Sequence, residues 1–101
     1  MATRHLYVGL IRLHILHHAC EEPIFGQAMI DELGRHGYRL SAGTLYPILH
    51  GMERQGYLRS RLTLNGGRNR RVYRATPAGR KALVTGRKRV QELFGEMFEN
   101  G

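Results

Sequence analysis

The run Gly37-Tyr-Arg-Leu-Ser-Ala-Gly-Thr-Leu-Tyr-Pro-Ile-Leu-His-Gly-Met-Glu-Arg-Gln-Gly-Tyr-Leu58 reads as a short capped helix passing directly into a strand. Ser41 is a good N-cap, with Thr44 as a second candidate, since either hydroxyl can accept from a free N–H of the first turn. Leu45, Ile48, Leu49 and Met52 recur at helical spacing and form an inward face. Gly56 ends the helix. Pro47 has no N–H to donate. A helix that starts at Thr44 keeps Pro47 in its first turn, whereas one that starts at Ser41 should be kinked or widened near Gly43.

Downstream, residues 57–64 alternate over part of their length as a half-buried strand does. Asn65-Gly-Gly67 is a strong turn signal, and residues 71–75 return as a second strand. Residues 59–74 hold six arginines and no acid. Upstream, residues 4–19 form a helix apolar on nearly all faces, which points to burial on more than one side. Glu21-Glu-Pro23 ends it, because proline disfavours helical backbone in the residue before it. Residues 24–36 place Ile24, Ala28, Met29 and Leu33 at helical spacing, with Asp31 and Glu32 facing outward and Gly37 at a left-handed C-cap. Thr76-Pro77 opens a last helix that runs to about residue 99. Gly79, Gly86 and Gly95 weaken it locally.

The order helix, helix, helix, hairpin, helix is that of a winged helix-turn-helix, so the fold is mainly α with a small β-hairpin. Residues 1–76 make the head, and 77–101 an added helix of the same compact unit. In helix-turn-helix proteins the second helix of the motif enters the major groove, and its first turn meets base edges. Here that turn carries Ser41, Ala42, Gly43, Thr44, Tyr46 and Pro47. It lacks Arg and Lys, so bidentate guanine readout from it is not expected, and shape and apolar contact carry more weight. Tyr46 has two readings: its ring packs in the domain with only its hydroxyl reaching a phosphate, which is the favoured one, or it contacts DNA fully. Tyr73 reads as a structural strand aromatic. Arg68, Asn69, Arg70 and Arg71 form the tip of the wing, suited to phosphates or a narrow minor groove.

The chain has 101 residues, enough for one small domain, and a net charge of +8, with 14 arginines among its 16 basic residues. The guanidinium fork matches phosphate and base edges better than an ammonium does. Double-stranded DNA is therefore the expected partner. In the last helix Leu83, Val90, Leu93, Phe94 and Met97 form a stripe, with positions 83, 90 and 97 seven apart. With Leu6 and Leu10 of the first helix they are the candidate homodimer seam.

Cys20 is alone and cannot form an internal disulfide, which fits a reducing compartment. No signal-peptide pattern follows Met1, and no apolar run approaches the ~18 residues that span a bilayer. The expected location is the cytoplasm, away from membranes. No nucleophile, base and orienting group stand together, no phosphate loop appears, and the expectation is no enzyme and no cofactor. His14, His17 and His18 share a helix face with metal-ligand spacing, completed by Glu21 or Glu22 or by a partner subunit. An exposed histidine patch is the favoured reading, and no metal is assigned. A metal- or pH-responsive regulator is the alternative within the same class. A winged-helix protein-interaction module without a DNA role is the alternative from another class.

The motif residues have a family resemblance. Gly37-Tyr38, Ser41-x-Gly-Thr-Leu-Tyr-Pro47, Leu49, Glu53 to Gly56, and Tyr73-x-x-Thr76 with Gly79 stand in the order and spacing of the PadR transcriptional regulators. The single C-terminal helix resembles the small-subunit branch of that family. The resemblance implies a homodimeric repressor on a palindromic operator, with the first and last helices building the dimer. It also implies, for some members, release by a small aromatic effector. Members that sandwich flat drugs use tryptophans at the dimer centre. This chain has none, so stacking would fall to Tyr7, Phe94 or Phe98.

Overall fold

Pro23 disfavours helical backbone in Glu22, and helix α1 (Ala2–Glu21) stops just before it. The computed structural model describes residues 2–99, so the first residue and the last two, included in the expected units, lie outside the described residues. The elements that follow are β1 (Ile24–Phe25), α2 (Gly26–Arg35), α3 (Ala42–Arg54), β2 (Leu58–Asn65), β3 (Arg68–Ala75) and α4 (Pro77–Phe94). A π-helical segment, Gly95–Glu99, continues α4.

Strand β1 corrects the expectation that residues 24–36 form one helix. Ile24 pairs with Tyr73 and Phe25 with Val72, antiparallel, so the sheet has three strands in the order β1-β3-β2. The hairpin thus acquires a short third strand on its β3 edge, which ties the wing to the start of α2. Because α2 begins only at Gly26, its buried face is Met29 and Leu33, and Ala28 is exposed rather than inward. Glu32 does not simply face outward. It is part-buried and accepts from Arg35 at 2.8 Å.

Gly37 (φ +91°) and Gly56 (φ +86°) take the left-handed conformation after α2 and α3. The Tyr38 N–H reaches back to the Leu33 carbonyl at 2.9 Å, and Tyr57 N–H to Met52 at 2.9 Å, closing the same C-terminal motif twice. Both tyrosines then pack against the core. Helix α3 begins at Ala42, with Ser41 as N-cap and no break at Pro47. The expected distortion therefore does not interrupt the helix. Pro47 deprives the Gly43 carbonyl of its usual donor, and Gly43 is exposed, so water can take that acceptor. The Ser41 hydroxyl bonds the Thr44 hydroxyl at 3.3 Å rather than a backbone N–H.

The core joins Ile11, Ile15 and Leu16 of α1 to Met29 and Leu33 of α2, Leu45, Leu49 and Met52 of α3, and Leu58 and Tyr73 of the sheet. Among its described side chains, α1 is fully buried only from Ile11 onward. Leu6, Tyr7 and Leu10 are exposed, so this domain does not cover them. The Tyr73 ring is buried, as expected of a structural aromatic, and burial, with Glu53 second, pushes its hydroxyl pKa up.

Thr76 fastens α4 to the head. Its hydroxyl accepts from Gly79 N–H at 2.9 Å and donates to the Gly56 carbonyl at 2.6 Å, while Pro77 occupies the first helical turn. Thr76→Ala should lower stability by about 1–2 kcal/mol. Urea unfolding should show a lower midpoint with an unchanged slope, and Thr85→Ala, on the exposed face, should match the wild type. Gly79 and Gly86 are not mere weak points in α4. A Cβ on Gly79 would strike the Tyr57 carbonyl, and one on Gly86 the Leu13 side chain. These two positions let α4 lie close against the head and α1.

Candidate nucleic-acid interface

Helices α2 and α3, joined by the Gly37 turn, form the helix-turn-helix. The first turn of α3 presents Ser41, Ala42, Gly43 and Pro47 to solvent, with Thr44 half-buried. The exposed face continues through His50 and Arg54, since positions 43, 47, 50 and 54 are spaced 4, 3 and 4. His50 and Arg54 are missing from the sequence-based site. They follow the apolar face in phase and were legible from it. Arg54 places a guanidinium at the far end of the helix, where the first turn has none.

Tyr46 does not project freely. Its ring lies over Gly26, where any Cβ would overlap it, so a glycine at the start of α2 is what seats the tyrosine. This agrees with the packed reading of Tyr46. Gly26, unremarkable in the sequence, is its structural partner.

The hairpin turns at Gly66 (φ +61°) and Gly67 (φ +78°), a two-residue turn with both central residues left-handed. Arg68 therefore starts β3, and the tip is Gly66–Gly67 rather than Arg68 to Arg71. Strand alternation then sorts the arginines by face. Arg59 pairs with Arg74, Arg61 with Val72 and Thr63 with Arg70, and these residues, with Arg68, lie on the face turned from the Tyr73 side. Five of the six arginines of this hairpin share that face. Arg71 stands on the other. It donates to the Ser60 hydroxyl at 3.1 Å, which in turn donates to the Glu53 carboxylate at 2.9 Å. The hairpin has no acid in its own sequence, but α3 brings one to it in space.

Arg70 lies over the Phe25 ring at 5.4 Å, a cation–π contact that holds it beside β1. Phe25, Gly26, Gln27, Tyr46, Asn69, Arg70 and Arg71 together line a concave seat. Of the expected DNA-binding residues, the fold gathers Tyr46, Asn69, Arg70 and Arg71 there. Ser41 lines a separate groove with Arg35 and Arg39 between α2 and the turn.

The expected dimer residues occupy a second surface. Leu6, Leu10, Val90, Leu93, Phe94 and Met97 are exposed, while Leu83 is half-buried against the domain's own core. The π-helical segment turns less per residue than an α-helix. It rotates Met97 away from the line through Leu83 and Val90, so the seven-residue spacing holds from 83 to 90 and is not kept to 97. Between α1 and α4 runs an apolar groove of about 640 Å³, lined in part by Leu10, Leu13, Leu83, Val90 and Phe94.

The family model described as the transcriptional regulator PadR-like family matches residues 15–85, which take in most of the core, the helix-turn-helix, the wing and the start of α4. The chain belongs to the PadR-like family. It is 54% identical over 88 residues to the Mycobacterium tuberculosis protein named transcriptional regulator Rv3488, across 87% of this chain and 82% of that one. The crystal structure of a PadR family transcriptional regulator from Eggerthella lenta superposes with a TM-score of 0.81 at 29% identity, covering 99% of this chain and 91% of that one. A PadR-like transcriptional regulator from Bacillus cereus gives 0.80 at 22% identity over 94% and 97%, a likeness of fold alone. This PadR-like chain is thus a transcriptional regulator with a winged-helix fold, in a family that is not a class of enzymes. No helix among its described residues is long and apolar enough to cross a membrane.

Proposed function

We propose that this PadR-like regulator is a homodimeric repressor that acts on a palindromic operator in cytoplasmic duplex DNA. The observation that carries the reading is the arginine-rich wing, tied to α3 through Arg71, Ser60 and Glu53, beside a helix whose exposed edge is small and polar. Ser41, Gly43, Thr44 and Pro47 would approach base edges in the major groove, with His50 and Arg54 extending the contact along α3. Tyr46 would offer its hydroxyl to a phosphate at the seat it shares with Asn69, Arg70 and Arg71. Arg68 and the arginines beside it would grip the flanking backbone. Residues 1–76 would serve as the reading head and 77–101 as the dimerisation helix. Two heads held by that helix would meet successive major grooves about one helical turn apart. Its exposed stripe is apolar beyond what a lone soluble helix needs, which favours a second copy as its cover. A small aromatic effector, where one acts, would enter the α1–α4 groove beside Phe94 and change how the heads are spaced.

The test is a salt series of binding to the duplex upstream of the protein's own reading frame, with scrambled duplex as competitor. Affinity should fall by roughly 10³- to 10⁵-fold between 50 and 200 mM salt, as for a protein making six to ten phosphate contacts, and should survive the competitor. Equal, weak binding to both duplexes would defeat the assignment to this operator.

A further inference from the structure

Two helices each present a pair of metal-binding side chains one turn apart, and the fold sets the pairs face to face. Helix α1 offers His14 and His18, and α2 offers Glu32, followed four residues later at its C-cap by His36. Residues at this spacing lie on one side of a helix, so two such pairs on packed helices converge on one point. The ring nitrogens of His14, His18 and His36 come within 4.8 Å of one another. The His14 and His36 rings lie 4.9 Å apart between centroids, and the Tyr38 ring sits edge-on to His14 at 5.4 Å. One oxygen of Glu32 approaches His36 at 3.0 Å and His18 at 3.5 Å, while Arg35 holds the other at 2.8 Å.

We propose that His14, His18 and His36 form a binding site for a divalent transition-metal ion of the zinc type, with Glu32 as its charge-balancing and orienting carboxylate. Three imidazoles this close cannot all carry a proton without mutual repulsion, whereas their neutral lone pairs all suit one cation. Imidazole nitrogen selects zinc, cobalt, nickel or copper over magnesium or calcium, which prefer oxygen. A tetrahedral ion with bonds near 2.0–2.1 Å needs ligand atoms about 3.3 Å apart, so the three nitrogens, now within 4.8 Å of one another, would close by side-chain rotation, most freely at exposed His36. Glu32 fits the carboxylate that accompanies metal-bound histidines and fixes their rings. The sequence shows only the α1 half of this arrangement. His36 and Glu32 lie 18 or more positions away from His14 and join it through packing. Occupancy would tie α1, which carries exposed Leu6, Tyr7 and Leu10, to α2, the first helix of the helix-turn-helix.

A rival set is His17, His18 and Glu21, all on α1. The experiment separates the two without reference to DNA. Untagged full-length protein is titrated with zinc chloride by calorimetry and with cobalt chloride by visible absorption, where four-coordinate cobalt gives intense bands. One ion per chain should bind, and zinc should raise the melting temperature. His36→Ala, at an exposed position that the core does not need, should weaken binding at least tenfold, and Glu32→Gln by roughly 10- to 100-fold. His17→Ala and His50→Ala should bind as the wild type does. No saturable binding below the millimolar range would overturn the proposal. So would binding that survives His36→Ala, or that is lost in His17→Ala.

Discussion

Val90→Asp should convert the proposed dimer to monomers. Val90 is 42% exposed in the isolated chain and stands in the middle of the α4 stripe, beside the groove that runs to Leu10. If a second copy covers that stripe, the substitution buries an unpaired carboxylate, which costs several kcal/mol and loosens the dimer by about 10³-fold or more. The head should be untouched, because its core residues lie on α1, α2, α3 and the sheet. Sedimentation or light scattering at micromolar protein should report half the mass, with unchanged helix content. Operator binding should fall with it, since one head alone meets one half-site. An unchanged dimer would place the seam elsewhere on the surface.

The second large effect is expected at the wing. Replacing Arg68, Arg70 and Arg71 together by alanine should cut operator affinity on the order of 10²-fold near 100 mM salt. It should also reduce the salt slope by about 3 per head, close to one unit for each phosphate left without its guanidinium. The three need not contribute equally. Arg68 and Arg70 lie on the face that collects five arginines, and Arg70 is positioned by Phe25. Arg71 is on the other face and already bonded to Ser60, so Arg71→Ala alone should have the smallest effect on affinity. Fluorescence anisotropy with labelled duplex at four or five salt concentrations measures both quantities. Unchanged affinity and slope in the triple variant would remove the wing from the interface.

Local chemistry explains what was legible beforehand. Gly37, Gly56 and the Gly66–Gly67 turn sit at positive φ, a conformation open to few other residues, so their places mark the ends of α2 and α3 and the hairpin turn. Thr76-Pro77 marks the start of α4 for a similar reason, with a hydroxyl acceptor before a residue that needs no donor. The inward face of α3 follows from helical period alone. Strand β1 does not, because two residues carry no period, and the pairing with Val72 and Tyr73 is made across about fifty positions. Gly79 and Gly86 looked like propensity losses. Only the approach of the Tyr57 carbonyl shows that α4 docking requires the missing side chain of Gly79, while Gly86 leaves room for the Leu13 side chain.

The sequence by itself determined the order of the helices and the hairpin, several of their boundaries at glycine, proline and threonine, the excess of arginine and the motif around Thr44 to Pro47. Each of these depends on residues within a few positions of one another, where backbone sterics and periodicity act. The tertiary structure alone decided which face each arginine takes, that Tyr46 rests on Gly26, that Glu53 reaches the hairpin, and that His14 and His18 meet His36 and Glu32. Those outcomes depend on how helices and strands pack, and packing joins side chains whose distance along the chain says nothing of their distance in space.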